Sequence, residues 1–207
     1  MIRHISDVNK EVKDRININQ QLKEGEISGI PTGFKDIDKF TYGLQKTDLV
    51  VVGAETSQGK TAFCVDVAFN IAKKGYPVLF VTLEMSGMQL VGRMLSKESK
   101  ISSKDILMRK LKDDELSQTS RAMENVKDIP LYIEDRIETN FKTMFTKIYE
   151  YVQQYSIETV VIDYLQLMKN DDTKASTSDK FAEVANYSKR FSKATDIPVL
   201  LVSQLKR

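Results

Sequence analysis

Five short runs of Val, Ile and Leu recur along the chain from Leu49 onward, and stretches with helical periodicity separate them. Most of these runs are continuous and do not alternate with polar residues, which is typical of strands covered on both faces in a parallel sheet. Strands that alternate with helices predict an α/β fold with a mostly parallel central sheet flanked by helices. The predicted strands are LVVVGA (49–54), PVLFVTLE (77–84), PLYIED (130–135), TVVIDYLQL (159–167) and PVLLVSQL (198–205).

The segments between these strands carry helical or loop patterns. Helices are predicted over 59–75, in polar stretches up to about residue 126, over 140–155 and over 179–195. NDDTKASTSD (170–179) contains short polar residues without an apolar anchor, a composition that predicts a loop.

The amino-terminal 28 residues differ from the rest of the chain. Ile5, Val8, Val12 and Ile16 recur at spacings of three and four within a charged stretch, which predicts an amphipathic helix that ends near Gly25. We therefore divide the chain into an amino-terminal arm (1–28) and one α/β domain (29–207). Periodicity alone leaves two places for the apolar stripe: on the arm's own domain, or on a neighbouring subunit.

The composition excludes several classes of protein. Apolar residues make up 41% and charged residues 29% of the chain, with a net charge of +2, so nucleic-acid binding would need a local surface rather than a strong overall field. The single cysteine excludes an internal disulfide and fits a reducing compartment. No apolar stretch is long enough to span a membrane, and the polar start MIRHISDVNK is not a secretory signal. We expect a cytoplasmic protein.

AETSQGKT (54–61) lies between the first predicted strand and the following helix. It ends in Gly-Lys-Thr, as phosphate-binding loops do, although Ala54 stands where the general pattern has Gly. In such loops Gly59 would lie beside the phosphate, Lys60 would reach the β and γ oxygens, and the Thr61 hydroxyl would ligate Mg²⁺. Because the required strand and helix are both predicted, we assign nucleotide binding to Ala54, Glu55, Thr56, Ser57, Gln58, Gly59, Lys60, Thr61 and Ala62.

Polar side chains near the ends of three other predicted strands complete the expected site. Asp163 ends the apolar stretch VVID and is predicted to bind Mg²⁺ through its water shell. Tyr164 follows it, so the base that orients the attacking water is sought elsewhere, and Glu84 takes this role unless it is a helix cap or an ion-paired residue. Gln204 suits a sensor of the γ-phosphate, although a strand-end glutamine is more often simply solvated. With Lys60, Glu84 and Gln204 form the predicted catalytic set.

These motifs resemble those of one family of ATPases. The chain resembles the RecA-like P-loop motor domain of DnaB-type replicative DNA helicases over about residues 30–207. The Ala-first phosphate loop, LEMS and IDYLQLM distinguish this family from other RecA-like ATPases. The resembling stretches, in the family's order, are IPTGFKDIDKFTYGLQKTDLVVVGA, AETSQGKT, FVTLEMSGMQLVGRMLS, LYIED, VVIDYLQLM and PVLLVSQLKR.

The resemblance implies an ATP- and Mg²⁺-dependent ring, usually a hexamer, with single-stranded DNA in its channel and primase and a helicase loader as further partners. It implies that Lys60 and Thr61 bind phosphates and Mg²⁺, and it supports the roles given above to Asp163, Glu84 and Gln204. The arm corresponds to the family's linker helix, which favours docking on the adjacent subunit. The resemblance also places the strand of Leu200 and Leu201 between those of Val51 and Ile162.

Several family features are expected outside this sequence. The helical amino-terminal domain would precede residue 1, and the arginine finger and a principal DNA-contacting loop would follow Arg207. We therefore expect these 207 residues alone to bind nucleotide but to hydrolyse it poorly.

Three functions remain open from the sequence. The first is an ATP-driven DNA helicase motor, the second a nucleotide-switched assembly module that never translocates, and the third a RecA-type recombination or clock ATPase. The stretches LEMS and IDYLQLM favour the first over the third, whereas the absence of an obvious basic groove keeps the second open.

Overall fold

The computed structural model describes residues 2–168 and 176–205. Within them five parallel strands form one sheet, in the order β1-β5-β4-β2-β3. The strands are β1 (Leu49–Ala54), β2 (Val78–Thr82), β3 (Leu131–Glu134), β4 (Thr159–Asp163) and β5 (Val199–Gln204). The predicted α/β class is confirmed, and so is the position of Leu201, which pairs with Val51 on one side and with Ile162 on the other.

Eight α-helices surround the sheet in the described part of the chain. They are α1 (Ile5–Gln20), α2 (Lys35–Thr41), α3 (Lys60–Lys73), α4 (Gly87–Ser99), α5 (Ser103–Met108), α6 (Asp113–Val126), α7 (Phe141–Tyr155) and α8 (Thr177–Thr195). Leu79 and Val81 of β2 pack with α7 and α8 on one face of the sheet, whereas Val78 and Phe80 pack with α3 and α4 on the other. Because both faces are covered, the inner strands are apolar at nearly every position, as their sequences predicted.

Two strands differ from the prediction. β1 was predicted to be fully buried, but it is an outer strand of the described sheet and the side chain of Val51 is 52% exposed. The strand predicted over 159–167 ends at Asp163, and Leu165–Leu167 form a short 3-10 helix. Leu165 is buried in that turn, so an apolar run continued past the end of the strand.

The loop predicted over 170–179 lies outside the described residues as far as residue 175. From Thr177 the chain is already helical, because Ser176 caps α8 by accepting a hydrogen bond from the backbone N–H of Asp179. A short polar segment therefore begins the helix instead of preceding it.

The arm is a helix whose apolar stripe is exposed. α1 contains no buried residue, and the side chains of Ile5, Val8, Val12 and Ile16 are between 39% and 69% exposed. The helix ends at Gln20, before the predicted stop at Gly25, which lies in the following turn. In the described part of the chain, no helix is both long and apolar enough to cross a membrane.

Candidate nucleotide site

The carboxyl ends of three neighbouring strands meet at one edge of the sheet. Ala54, Asp163 and Gln204 are the last residues of β1, β4 and β5, and these strands are parallel and adjacent. Ligands of open α/β sheets bind at such an edge. The fold thus brings the phosphate loop, the predicted magnesium ligand and the predicted phosphate sensor to the same place.

The phosphate loop connects the end of β1 to the first turn of α3. Gly59 precedes α3 with a left-handed backbone (φ 83°), a conformation that residues with a Cβ rarely adopt. The Nζ of Lys60 donates a hydrogen bond of 2.8 Å to the carbonyl oxygen of Glu55, so the side chain folds back across the loop. The backbone N–H groups at the start of α3 point into this loop, as in other anion sites at helix N-termini.

Asp163 is fully buried at the end of β4. Neither of its carboxylate oxygens has a hydrogen-bond partner of good geometry among the described residues. Burial raises the pKa of this carboxyl; the nearby Thr61 hydroxyl lowers it, the charge of Glu84 raises it further, and the charges of Lys60 and Arg93 lower it. Buried polar groups are usually satisfied, so two open carboxylate oxygens indicate a place for a ligand.

Glu84 lies two residues beyond the end of β2, not within the strand as predicted. The Thr82 hydroxyl shapes this turn: it accepts from the backbone N–H of Met85 (3.0 Å) and donates to the carbonyl oxygen of Met85 (2.9 Å). The backbone N–H of Leu83 donates to the carbonyl oxygen of Asp163 over 2.7 Å, which ties the turn to β4. The Glu84 side chain is exposed, and its charge acts on the Asp163 carboxyl.

The turn that carries Glu84 leads directly into α4. Ser86 and Gln89 form a capping box there, in which the Ser86 hydroxyl accepts from the Gln89 backbone and the Gln89 side chain accepts from the Ser86 backbone. The Asp135 carboxylate accepts a further hydrogen bond of 2.6 Å from the backbone N–H of Gly87. Glu84 therefore stands on a turn that is fixed at both ends.

Gln204 contacts the phosphate loop directly. Its Nε2 donates a hydrogen bond of 2.8 Å to the Thr56 hydroxyl, across 148 positions of sequence. The alternative of a merely solvated strand-end glutamine does not describe this contact.

The residues of this edge fit a magnesium–nucleotide complex. No group of three or more His, Cys, Asp or Glu residues in the described ranges could hold a metal by itself. Mg²⁺ in nucleotide sites is commonly bound by one or two protein oxygens together with phosphates and water. The open oxygens of Asp163 and the adjacent Thr61 hydroxyl supply that partial set.

Comparison with known proteins gives the family. A sequence profile described as the DnaB-like helicase C terminal domain matches residues 29–207. The chain belongs to this family.

Two curated relatives illustrate the match to DnaB-like helicases. The replicative DNA helicase DnaB of Geobacillus stearothermophilus is 33% identical over 99% of this chain, and the replicative DNA helicase DnaC of Bacillus subtilis is 32% identical over 99% of it. The match spans 45% of the length of each relative, so this chain spans less than half of the curated relatives.

Two solved structures share the fold. One is an isolated ATPase domain, which superimposes with a TM-score of 0.89 at 24% identity, covering 100% of this chain and 73% of that one. The other is a DnaB-like replicative helicase, studied with its interactions with primase, which superimposes with a TM-score of 0.84 at 24% identity, covering 100% of this chain and 49% of that one.

Two residues of this DnaB-like site were missed by sequence reasoning. Thr82 was taken as an ordinary strand residue, although its hydroxyl shapes the Glu84 turn. Gln166 was placed inside a predicted strand, yet it lies on the 3-10 helix and hydrogen-bonds to Ser203 and Gln204. Only the family stretch IDYLQLM contained a signal for Gln166.

Proposed function

We propose that this chain is the ATP-driven motor of a replicative DNA helicase, which translocates on single-stranded DNA and unwinds duplex DNA. The observation that carries the proposal is the sheet edge where the phosphate loop, the buried Asp163 and Gln204 lie together in a DnaB-like chain. The family match favours this function over a RecA-type recombination or clock ATPase.

The phosphate loop supplies the binding energy for the nucleotide. In this proposal the backbone N–H groups of residues 54–62 surround the phosphates, and the Lys60 ammonium leaves the Glu55 carbonyl to pair with the β and γ oxygens. Thr61 and Asp163 hold Mg²⁺, which would neutralise phosphate charge during transfer. The raised pKa of Asp163 means that its charge is costly in the empty site, so a cation there stabilises the carboxylate.

Glu84 and Gln204 act on the reaction itself. Glu84, on its fixed turn, accepts a hydrogen bond from the attacking water and orients it toward the γ-phosphate. Gln204, whose amide already bonds to Thr56, exchanges that bond for one to the γ-phosphate and so reports its presence.

The motor works as a ring, usually a hexamer, in the cytoplasm. The exposed stripe of α1 docks on the next subunit, since no residue of α1 is buried in its own chain. Single-stranded DNA passes through the ring, and primase and a helicase loader bind the complete protein. An interaction with primase is described for one of the structural neighbours.

A three-part assay tests the proposal. The full-length protein is measured for ATP hydrolysis, for stimulation of hydrolysis by single-stranded DNA, and for unwinding of a forked duplex. Lys60→Ala should lose hydrolysis and unwinding while it keeps its far-UV circular dichroism, because Lys60 is only partly buried and its ammonium bonds within the loop itself. Nucleotide-dependent assembly without DNA stimulation or unwinding would instead identify a nucleotide-switched assembly module.

A further inference from the structure

Gln166 contacts the strand end that carries the proposed phosphate sensor. It lies on the 3-10 helix that follows β4, within one turn of Asp163. Its side-chain amide reaches across to β5, 37 and 38 residues further along the chain, and makes three hydrogen bonds there.

Two of these bonds are to the backbone of Gln204. The Gln204 N–H donates to Oε1 of Gln166 over 2.9 Å, and Nε2 of Gln166 donates to the Gln204 carbonyl oxygen over 2.8 Å. The same Nε2 lies 3.1 Å from the Ser203 hydroxyl oxygen. A primary amide has one acceptor and one donor group in one plane, so it pairs with a residue of a strand as a peptide unit would.

The sheet explains why this side-chain partner is needed. β4 pairs with β5 only as far as Ile162 and Leu201, whereas β5 continues along β1 until Ala54 lies opposite Gln204. In a parallel strand the N–H and C=O of one residue point to the same side, and those of Gln204 point toward the departed β4. Gln166 occupies the position that the next residues of β4 would have filled.

The other end of Gln204 lies at the phosphate loop. Its Nε2 donates to the Thr56 hydroxyl over 2.8 Å, so the direction of this side chain depends on a backbone that Gln166 holds. We infer that Gln166 is a positioning residue, which fixes the backbone of Gln204 so that the sensor amide stays at the phosphate loop. This inference rests on the proposed ATPase function.

The first test separates turnover from binding. In the full-length protein, Gln166→Leu keeps the approximate side-chain volume and removes all three hydrogen bonds. We expect kcat for ATP to fall by about 10–100-fold, as for other outer-shell partners of active-site groups. The Kd of a fluorescent ADP analogue with Mg²⁺ should change by no more than about twofold, because the phosphate loop is untouched. Gln154→Leu, on an exposed position of α7, is the matched control and should leave both values unchanged.

A double substitution then tests whether Gln166 acts through Gln204. If it does, Gln166→Leu should lower kcat little or not at all in a Gln204→Ala background, because the group that it positions is already gone. Additive losses of kcat, or a parallel loss of nucleotide binding and thermal stability, would show a general structural role and overturn the inference. An unchanged kcat in Gln166→Leu would also overturn it.

Gln166→Glu provides a second variant in case the leucine variant does not fold. One glutamate oxygen can still accept from the Gln204 N–H, but the other would face the Gln204 carbonyl and repel it. Protonation restores a donor at that position, so the kcat of Gln166→Glu relative to wild type should rise as the pH is lowered. A pH-independent ratio contradicts the positioning role. A wild-type protein that does not hydrolyse ATP would overturn the proposed function and this role together, whereas an active wild type with an active Gln166→Leu overturns only the inference.

Discussion

Asp163→Asn should stabilise the nucleotide-free chain and at the same time remove its response to magnesium nucleotide. Asp163 is fully buried with both carboxylate oxygens unpartnered among the described residues, and its pKa is raised chiefly by burial. A buried polar group without a partner costs about 1–3 kcal/mol, and more when it is charged. The nearby charges of Lys60 and Arg93 compensate part of that cost, so we expect a gain of about 1–3 kcal/mol in the free energy of unfolding.

Thermal denaturation measures this gain. In a domain of this size about 1 kcal/mol corresponds to about 2–4 °C, so the Tm of the variant should rise by roughly 2–12 °C in EDTA. With Mg²⁺ and ADP at about 100 times Kd, the wild type should gain about 2.7 kcal/mol, whereas the variant should gain less because a metal ligand is missing. Asp128→Asn, at an exposed turn position, is the matched control and should shift neither value.

The pH dependence gives an independent check with a defined sign. The folded chain binds a proton at Asp163 at higher pH than the unfolded chain does, because the pKa is raised above the ordinary value of 3.8. The cost of the charge is therefore complete at neutral pH and disappears as the pH falls through the raised pKa. The difference in Tm between Asp163→Asn and wild type should shrink accordingly. A variant less stable than wild type at neutral pH without nucleotide would refute the reasoning, since the carboxylate would then make a stabilising contact.

Two further predictions concern Glu84 and the arm. Glu84→Gln should keep nucleotide binding and lose turnover, with a stability change within about 0.5 kcal/mol because the side chain is exposed; normal ATP hydrolysis in the full-length variant would assign the water-orienting role to another residue. Deleting residues 1–25 should lower the oligomer size in light scattering with little change in Tm, because α1 buries nothing in its own chain, whereas burying four apolar side chains on a neighbour would contribute about 1.5–3 kcal/mol each before ordering costs. An unchanged oligomer, or a large fall in Tm, would place the arm on its own domain.

Local pattern was enough for most of the elements, and it failed where an element ended for a non-local reason. The run TVVIDYLQL is apolar on both sides of Asp163, so periodicity could not separate the strand from the 3-10 turn that buries Leu165. β1 has the composition of an inner strand, but only the strand order shows that it is an outer strand of the described sheet with Val51 half-exposed.

The amino-acid sequence by itself determined the phosphate loop and the fold class. The loop is one continuous segment between a strand and a helix, and its shape depends on local properties such as the left-handed backbone of Gly59. Alternating strands and helices with continuous apolar runs likewise leave few arrangements other than a covered parallel sheet.

Tertiary structure alone decided which distant groups surround that loop. Gln204 meets Thr56 across 148 positions, and Gln166 pairs with Gln204 across 38, only because β5 lies between β1 and β4 and extends beyond β4. The open carboxylate of Asp163 is likewise a property of packing, since any exposed strand end would have left it hydrated. Contacts of this kind depend on strand order and strand length, and no local sequence pattern encodes either.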